Sequence, residues 1–171
     1  TVLIAISEEE IESLGTYSHP IPEKVRTSIY ESVYSKNLDS DKVNKLDMLL
    51  GEIFSEAVNK ILTQESVSSK NIKAIGSHGQ TIKHSPNSHE PFSLQIGNAQ
   101  LIANLTGIKT ISDFRSDDIS AGGQGAPITP IFNEYAFSSN SKRVIINIGG
   151  ITNITLLKNK TQTTGYDTGP G

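Results

Sequence analysis

Cysteine and tryptophan are absent from the chain, and methionine occurs once. Without cysteine there is no disulfide framework, no thiolate zinc site and no cysteine nucleophile. Basic residues are not in excess: Lys and Arg number 15 against 18 Asp and Glu, a formal net charge of -3. No positive field therefore advertises nucleic acid or an anionic membrane as a partner. No apolar run approaches the roughly 20 residues that a membrane-spanning helix needs. The opening Thr1-Val-Leu-Ile-Ala-Ile6 lacks both a basic n-region and a small-residue cleavage site, so it reads as a strand and not as a signal peptide. The expectation is a soluble, globular, cytoplasmic protein. Its 171 residues suffice for one domain, or for one domain and a piece of another.

What is present is concentrated between Asp113 and Pro130. There, Asp113, Asp117, Asp118, Arg115 and the glycines 122, 123 and 125 crowd into one segment, which is expected to be neither helix nor regular strand. Glycine serves where a backbone takes positive φ or lets a ligand approach closely. Carboxylates beside such a loop are placed to act as a base or to hold a metal. The preceding Gly107–Ser112 reads as a short buried strand, so the loop leaves a strand's carboxyl end, where open α/β sheets carry their sites. A surface turn rich in Gly and Asp is the competing account.

The rest of the chain supplies a framework. Val2–Ile6 is an apolar run with no turn or cap before it, as though the chain were cut within a sheet, and residues 11–21 pair with it as a hairpin ending at Pro20. After Pro22, Val25, Ile29 and Val33 form one helical stripe. A longer helix follows Asp39-Ser40, with Val43, Leu46, Leu50, Ile53, Ala57 and Ile61 recurring every three or four residues. Leu49, Phe54, Val58 and Leu62 widen its apolar face, and that pattern demands burial. Residues 72–77 read as a short strand running into His78-Gly-Gln-Thr81, whose histidine is either functional or a structural residue in a turn. His84, His89 and Ser85-Pro-Asn-Ser88 read as loop. His78, His84 and His89 lack the spacing of a zinc site. Asn98 caps a helix through Leu105, stopped by Gly107, and residues 127–138 form another, with Ile128, Ile131 and Tyr135 on one side. This alternation implies parallel strands with crossover helices. A polar stretch at 138–141 then precedes a new strand from Arg143, a Gly149-Gly150 turn and a return strand from Ile151. Backbone amides in a Gly-Gly hairpin can cradle phosphate, although an ordinary tight turn has the same sequence.

Four motifs occur in order: Gly76-Ser-His-Gly-Gln-Thr81; Asp113-Phe-Arg115 with Asp118 and Gly122-Gly-Gln-Gly-Ala-Pro127; Asn147-Ile-Gly-Gly-Ile-Thr-Asn153; and Gly165-Tyr-Asp-Thr-Gly-Pro-Gly171. Together they resemble the anhydro-N-acetylmuramic acid kinases of peptidoglycan recycling. The resemblance implies the fold of acetate and sugar kinases, Hsp70 and actin: two ribonuclease-H-like α/β domains with ATP in the cleft between them. Residues 1–138 would be the first domain without its first strand, and 142–171 the opening strands of the second. The implied reaction opens the 1,6-anhydro bond with water while ATP phosphorylates O6, giving N-acetylmuramic acid 6-phosphate.

The resemblance also implies roles. Asp118 would be the base for the attacking water, with Asp117 a solvated neighbour. His78, Gln80, Thr81 and Arg115 would border the sugar, although Arg115 can equally pair with a phosphate or with Asp113. Asn147, Gly149, Gly150 and Asn153 would form a phosphate hairpin, with Asp167 and Gly169 on the nucleotide side. ATP and Mg²⁺ are the implied cofactors, no protein metal ligand is assigned, and a homodimer is compatible. The chain departs from the family pattern in lacking the first phosphate loop and most of the second domain, and in carrying Asn98 where the family usually has Asp. A truncated kinase-fold module that binds sugar or a partner without turnover is the alternative; an enzyme of the same superfamily with another acceptor is disfavoured by the whole 118–127 string.

Overall fold

The computed structural model describes residues 1–7, 10–159 and 162–171. The chain is mixed α/β and divides into two compact units, residues 1–113 and 114–171.

In the first unit, β1 (Val2–Ile6) and β2 (Ile11–Thr16) form the expected antiparallel hairpin. Helix α1 (Glu23–Tyr34) starts directly after Pro22, and α2 (Ser40–Gln64) is the long amphipathic helix of the sequence pattern. Asp39 caps α2, its carboxylate accepting from the backbone N–H groups of Asp41 and Lys42 at 3.0 and 3.2 Å; such a cap satisfies donors that the first turn leaves without partners. The face of α2 carrying Leu46, Leu50, Ile53, Ala57 and Ile61 is buried, whereas Leu49 stays 39 % exposed.

That face packs against strands, as its apolar pattern requires. These strands form a second hairpin, β4 (Gln80–Ser85) with β5 (Phe92–Ile96); His84 and Ser85, expected in loop, lie at the end of its first strand. Phe92-Ser-Leu-Gln-Ile96 alternates apolar and polar residues, the signature of a half-buried strand, and Ile82 is the single apolar and single buried residue of β4. Ile82 and Ile96 project from this hairpin into one cluster with Val25 of α1 and Leu46, Leu50 and Ile53 of α2. Ahead of the hairpin, β3 (Ile75–Gly76) pairs parallel with β6 (Thr110–Ile111). This is the one parallel pair among the described residues; the other pairings are antiparallel.

Helix α3 (Ala99–Thr106) lies between β5 and β6 and ends at Gly107, as expected. Asn98 does more than cap it. Its Oδ1 accepts from Leu101 N–H, while its Nδ2 donates to Asp47 Oδ2 at 2.8 Å. Asp47 Oδ1 accepts from Gly97 N–H at 2.8 Å. An aspartate at 98 would bring no proton to Asp47, so the polar role of Asn98 is structural and depends on its amide. Hydrogen bonds to charged groups contribute about 1.5–3 kcal/mol each, and less where solvent can replace them; Asp47 is only half-buried, so Asp47→Ala is expected to destabilise the first unit by about 2–3 kcal/mol in denaturant unfolding. A loss below about 0.5 kcal/mol would show that solvent replaces both bonds.

The second unit holds α4 (Ser116–Ser120), α5 (Thr129–Phe137) and the antiparallel sheet β7 (Arg143–Asn147), β8 (Ile151–Asn159) and β9 (Gln162–Pro170). Two expectations are corrected here. The segment from Asp113 to Pro130 is not free of helix ahead of residue 127, since α4 lies within it, whereas α5 falls within the helix expected over 127–138. The Gly165–Gly171 motif lies almost wholly in β9, which pairs along β8. Helix α5 also buries a different side from the one expected: Asn133 faces the sheet, its Nδ2 donating to the buried Thr155 Oγ1 at 2.8 Å, while Ile131 and Tyr135 are exposed. The Pro127 and Pro130 rings pack against Gly165 of β9, where a side chain would not fit.

Candidate functional site

Two groups of the expected residues lie in the first unit and the second respectively. His78 follows β3, its Nδ1 lying 2.9 Å from the carbonyl of Gly79. Gln80 and Thr81 open β4, where Thr81 Oγ1 accepts from Gln95 Nε2 at 3.2 Å and Gln80 Nε2 donates to the Thr81 carbonyl at 3.1 Å. Gln95 stands opposite Thr81 on β5, a partner that becomes visible only once the second hairpin is recognised.

The second unit gathers the others around α4. Asp118 stands in the third residue of this single-turn helix, and the chain ends the helix with a paired backbone motif. Gly123 N–H donates to Asp118 O at 2.8 Å and Gly122 N–H to Ile119 O at 3.0 Å. These are the two bonds of a helix stop with a left-handed residue after the cap, and Gly122 takes that conformation at φ +92°. The next glycine is there for space: a Cβ on Gly123 would strike the Asp118 carboxylate. That carboxylate is exposed, and its Oδ2 accepts from Gly125 N–H at 2.6 Å. One oxygen is thus fixed to the loop, and Oδ1 lies outside that bond. The Gly-Gly-Gln-Gly string is therefore the seat of Asp118.

Arg115 precedes α4 and donates from Nη1 to the Gly125 carbonyl at 2.7 Å. Burial pulls its guanidinium below the ordinary value, and the carboxylate of Asp167 opposes this by favouring the charged form. Asp167 belongs to β9 and pairs with Asn153 of β8, which pairs in turn with Asn147 of β7. Directly opposed residues of antiparallel strands share a face, so Asn147, Asn153 and Asp167 form a polar row across the sheet. Neither Arg115–Asp167 nor this row is legible in spacing alone, because both depend on the third strand.

The connection between β7 and β8 is wider than the expected two-residue turn: the last pair across it is Asn147 with Asn153. Gly149 and Gly150 are exposed, and a Cβ on Gly150 would meet open space. Gly171 N–H donates to Gly150 O at 3.4 Å, bringing the end of β9 beside this connection. Gly169 opposes Thr152, whose carbonyl accepts from Thr168 Oγ1 at 2.9 Å. Unobstructed glycine backbone next to two asparagine amides suits the oxygens of a phosphate chain. Among the described residues no three or more His, Asp or Glu are gathered to hold a metal ion, and no helix is long and apolar enough to cross a membrane.

Comparison with known proteins gives a consistent result. The chain is 45% identical to the anhydro-N-acetylmuramic acid kinase of Photobacterium profundum over 172 residues, covering 100% of the chain and 46% of that protein. It is 41% identical to the protein of the same name from Vibrio cholerae, with the same two coverages, and 43% identical over 166 residues to that of Coxiella burnetii, covering 95% and 45%. The chain therefore spans a little under half the length of these relatives. A family model described as anhydro-N-acetylmuramic acid kinase matches residues 1–171, and the chain belongs to that family.

Proposed function

We propose that the protein to which this chain belongs is an ATP-dependent kinase. It opens the 1,6-anhydro bond of anhydro-N-acetylmuramic acid and phosphorylates O6, in cell-wall recycling. The observation that carries this reading is the seat of Asp118: an exposed carboxylate with one oxygen held by a backbone N–H of the glycine-rich loop that follows it. Family membership supplies the substrate class.

In this reading Asp118 takes a proton from water as the water oxygen bonds to C1 of the sugar. The C1–O6 bond breaks, and O6 takes the γ-phosphoryl group as its bond to ADP breaks. General-base assistance of this kind contributes about 10²–10⁴ in rate. Asn147, Asn153 and the amides of Gly149 and Gly150 bind phosphate oxygens, with Asp167 and Gly169 on the nucleotide side. Asp167 and Asn153 carry side-chain oxygens that would suit Mg²⁺, which would supply neutralisation of phosphate charge. His78, Gln80 and Thr81 are the sugar-binding residues of the first unit in this reading. The fold that goes with this is the two-domain arrangement of sugar kinases and actin, each domain ribonuclease-H-like, with 1–138 in the first domain and 142–171 opening the second.

The test uses a chain extended to the length of its relatives, with coupled ADP release measured in the presence of Mg²⁺-ATP and anhydro-N-acetylmuramic acid. Sugar-dependent ADP release with formation of a 6-phosphate is expected. Binding of the sugar without ADP release would instead favour a non-catalytic module.

A further inference from the structure

We propose that Arg115 is a positioning residue, which holds the Asp118 carboxylate in place by clamping the peptide backbone of Gly125. The proposal rests on the reading of Asp118 as the base. Two hydrogen bonds and the conformation of Gly125 carry it. Gly125 donates its N–H to Asp118 Oδ2 at 2.6 Å, and its carbonyl accepts from Arg115 Nη1 at 2.7 Å. Gly125 is buried and adopts φ +67°; a Cβ there would lie 2.9 Å from Ile119 Cδ1 and 3.3 Å from Arg115 Cβ. The residue is thus gripped on both sides of its α-carbon, and rotation of its backbone is the motion that would release Asp118.

The guanidinium suits this task because it is a planar fork with several donors in fixed directions, so it can hold Gly125 O from one of them at a set angle. Lysine offers charge without that geometry. The competing role is direct contact between Arg115 and the sugar or a phosphate, which would place its effect mainly on substrate affinity.

The test compares wild type, Arg115→Lys, Arg115→Gln, Asp118→Asn and the double variant Arg115→Lys/Asp118→Asn, each in a chain of the relatives' length. Misplacing a reacting group by about 1 Å can cost about 100-fold in rate. Arg115→Lys is therefore expected to lower kcat by about 10- to 100-fold, with KM for sugar and for ATP changed less than about twofold. In the double variant, Arg115→Lys is expected to cost nothing beyond Asp118→Asn, as for groups that act as a unit. Amide hydrogen exchange at Gly125 is expected to speed up by about tenfold in Arg115→Lys, by loss of a bond worth about 1.4 kcal/mol, and this readout does not require turnover. A rise in KM at unchanged kcat, or unchanged exchange at Gly125, overturns the proposal. Full turnover in Asp118→Asn overturns the base reading instead, so the two failures are separable. If Arg115→Gln does not fold, the milder Lys variant still decides.

Discussion

Asp118→Asn should reduce turnover of the anhydro sugar by about 10²–10⁴ while leaving sugar and ATP binding within a few-fold of wild type. The geometry explains why asparagine is the informative replacement. Its carbonyl oxygen can occupy the place of Oδ2 and still accept from Gly125 N–H, so the loop keeps its seat. What changes is the other position, where a basic oxygen becomes an amide group that can take no proton from water. Asp118→Ala mixes two effects, since it also leaves the buried Gly125 N–H without its partner, at a cost of about 1–3 kcal/mol. The checks are initial rates of ADP release for turnover and equilibrium titration for binding. Near-wild-type rates in Asp118→Asn would mean that another group activates the water, and a parallel loss of binding would mean that Asp118 is a substrate contact instead.

The seat of Asp118 was only partly legible in the sequence. Glycines and carboxylates in one short segment pointed to the place, and the resemblance singled out Asp118 from Asp117. The reason for each glycine was not legible, because it lies in a five-residue helix too short for any periodicity to reveal. Without α4, Gly122 has no helix to stop and Gly123 no carboxylate to accommodate. The same limit applies to β9. Gln162-Thr-Thr-Gly-Tyr-Asp-Thr-Gly-Pro170 carries two glycines and a proline, which argue against a strand interior, yet the residues pair along β8. Tertiary pairing overrides the local preference, aided by Gly165, whose lack of a side chain admits the Pro127 and Pro130 rings.

Long periodic segments were read more easily. The α2 stripe identified its own buried residues, because recurrence every three or four positions over 25 residues leaves little choice of face. Its partner was harder to see. In the β4–β5 hairpin, β5 alternates over only five residues and β4 carries a single apolar residue, and the histidines 84 and 89, with Pro86 and Asn87, drew attention to its turn. Since Ile82 and Ile96 come from that hairpin, missing it left the core with a helix face and nothing beneath it. The row Asn147–Asn153–Asp167 was hidden for the same reason as β9.

Leu50→Ala should be the most damaging single truncation in the first unit, costing about 3–4 kcal/mol and lowering its Tm by about 10–15 °C. Leu50 is fully buried, at 0% exposure, within the cluster formed by Val25, Leu46, Ile53, Ile82 and Ile96. Removing three carbons from such a site loses their transfer free energy and leaves a cavity. Collapse is restricted on both sides. The α2 backbone is held near this level by its close approach to α3, where a Cβ on Gly51 would already lie 3.1 Å from Asn98 O. The opposing Ile82 and Ile96 belong to paired strands that move only as a unit. The neighbouring Leu49 supplies the control. It has the same side chain on the same helix, but is 39 % exposed, so Leu49→Ala should cost less than about 1 kcal/mol. Denaturant unfolding followed by far-ultraviolet circular dichroism measures both. Equal losses for the two variants would mean that α2 is not seated on the β4–β5 hairpin by the face described.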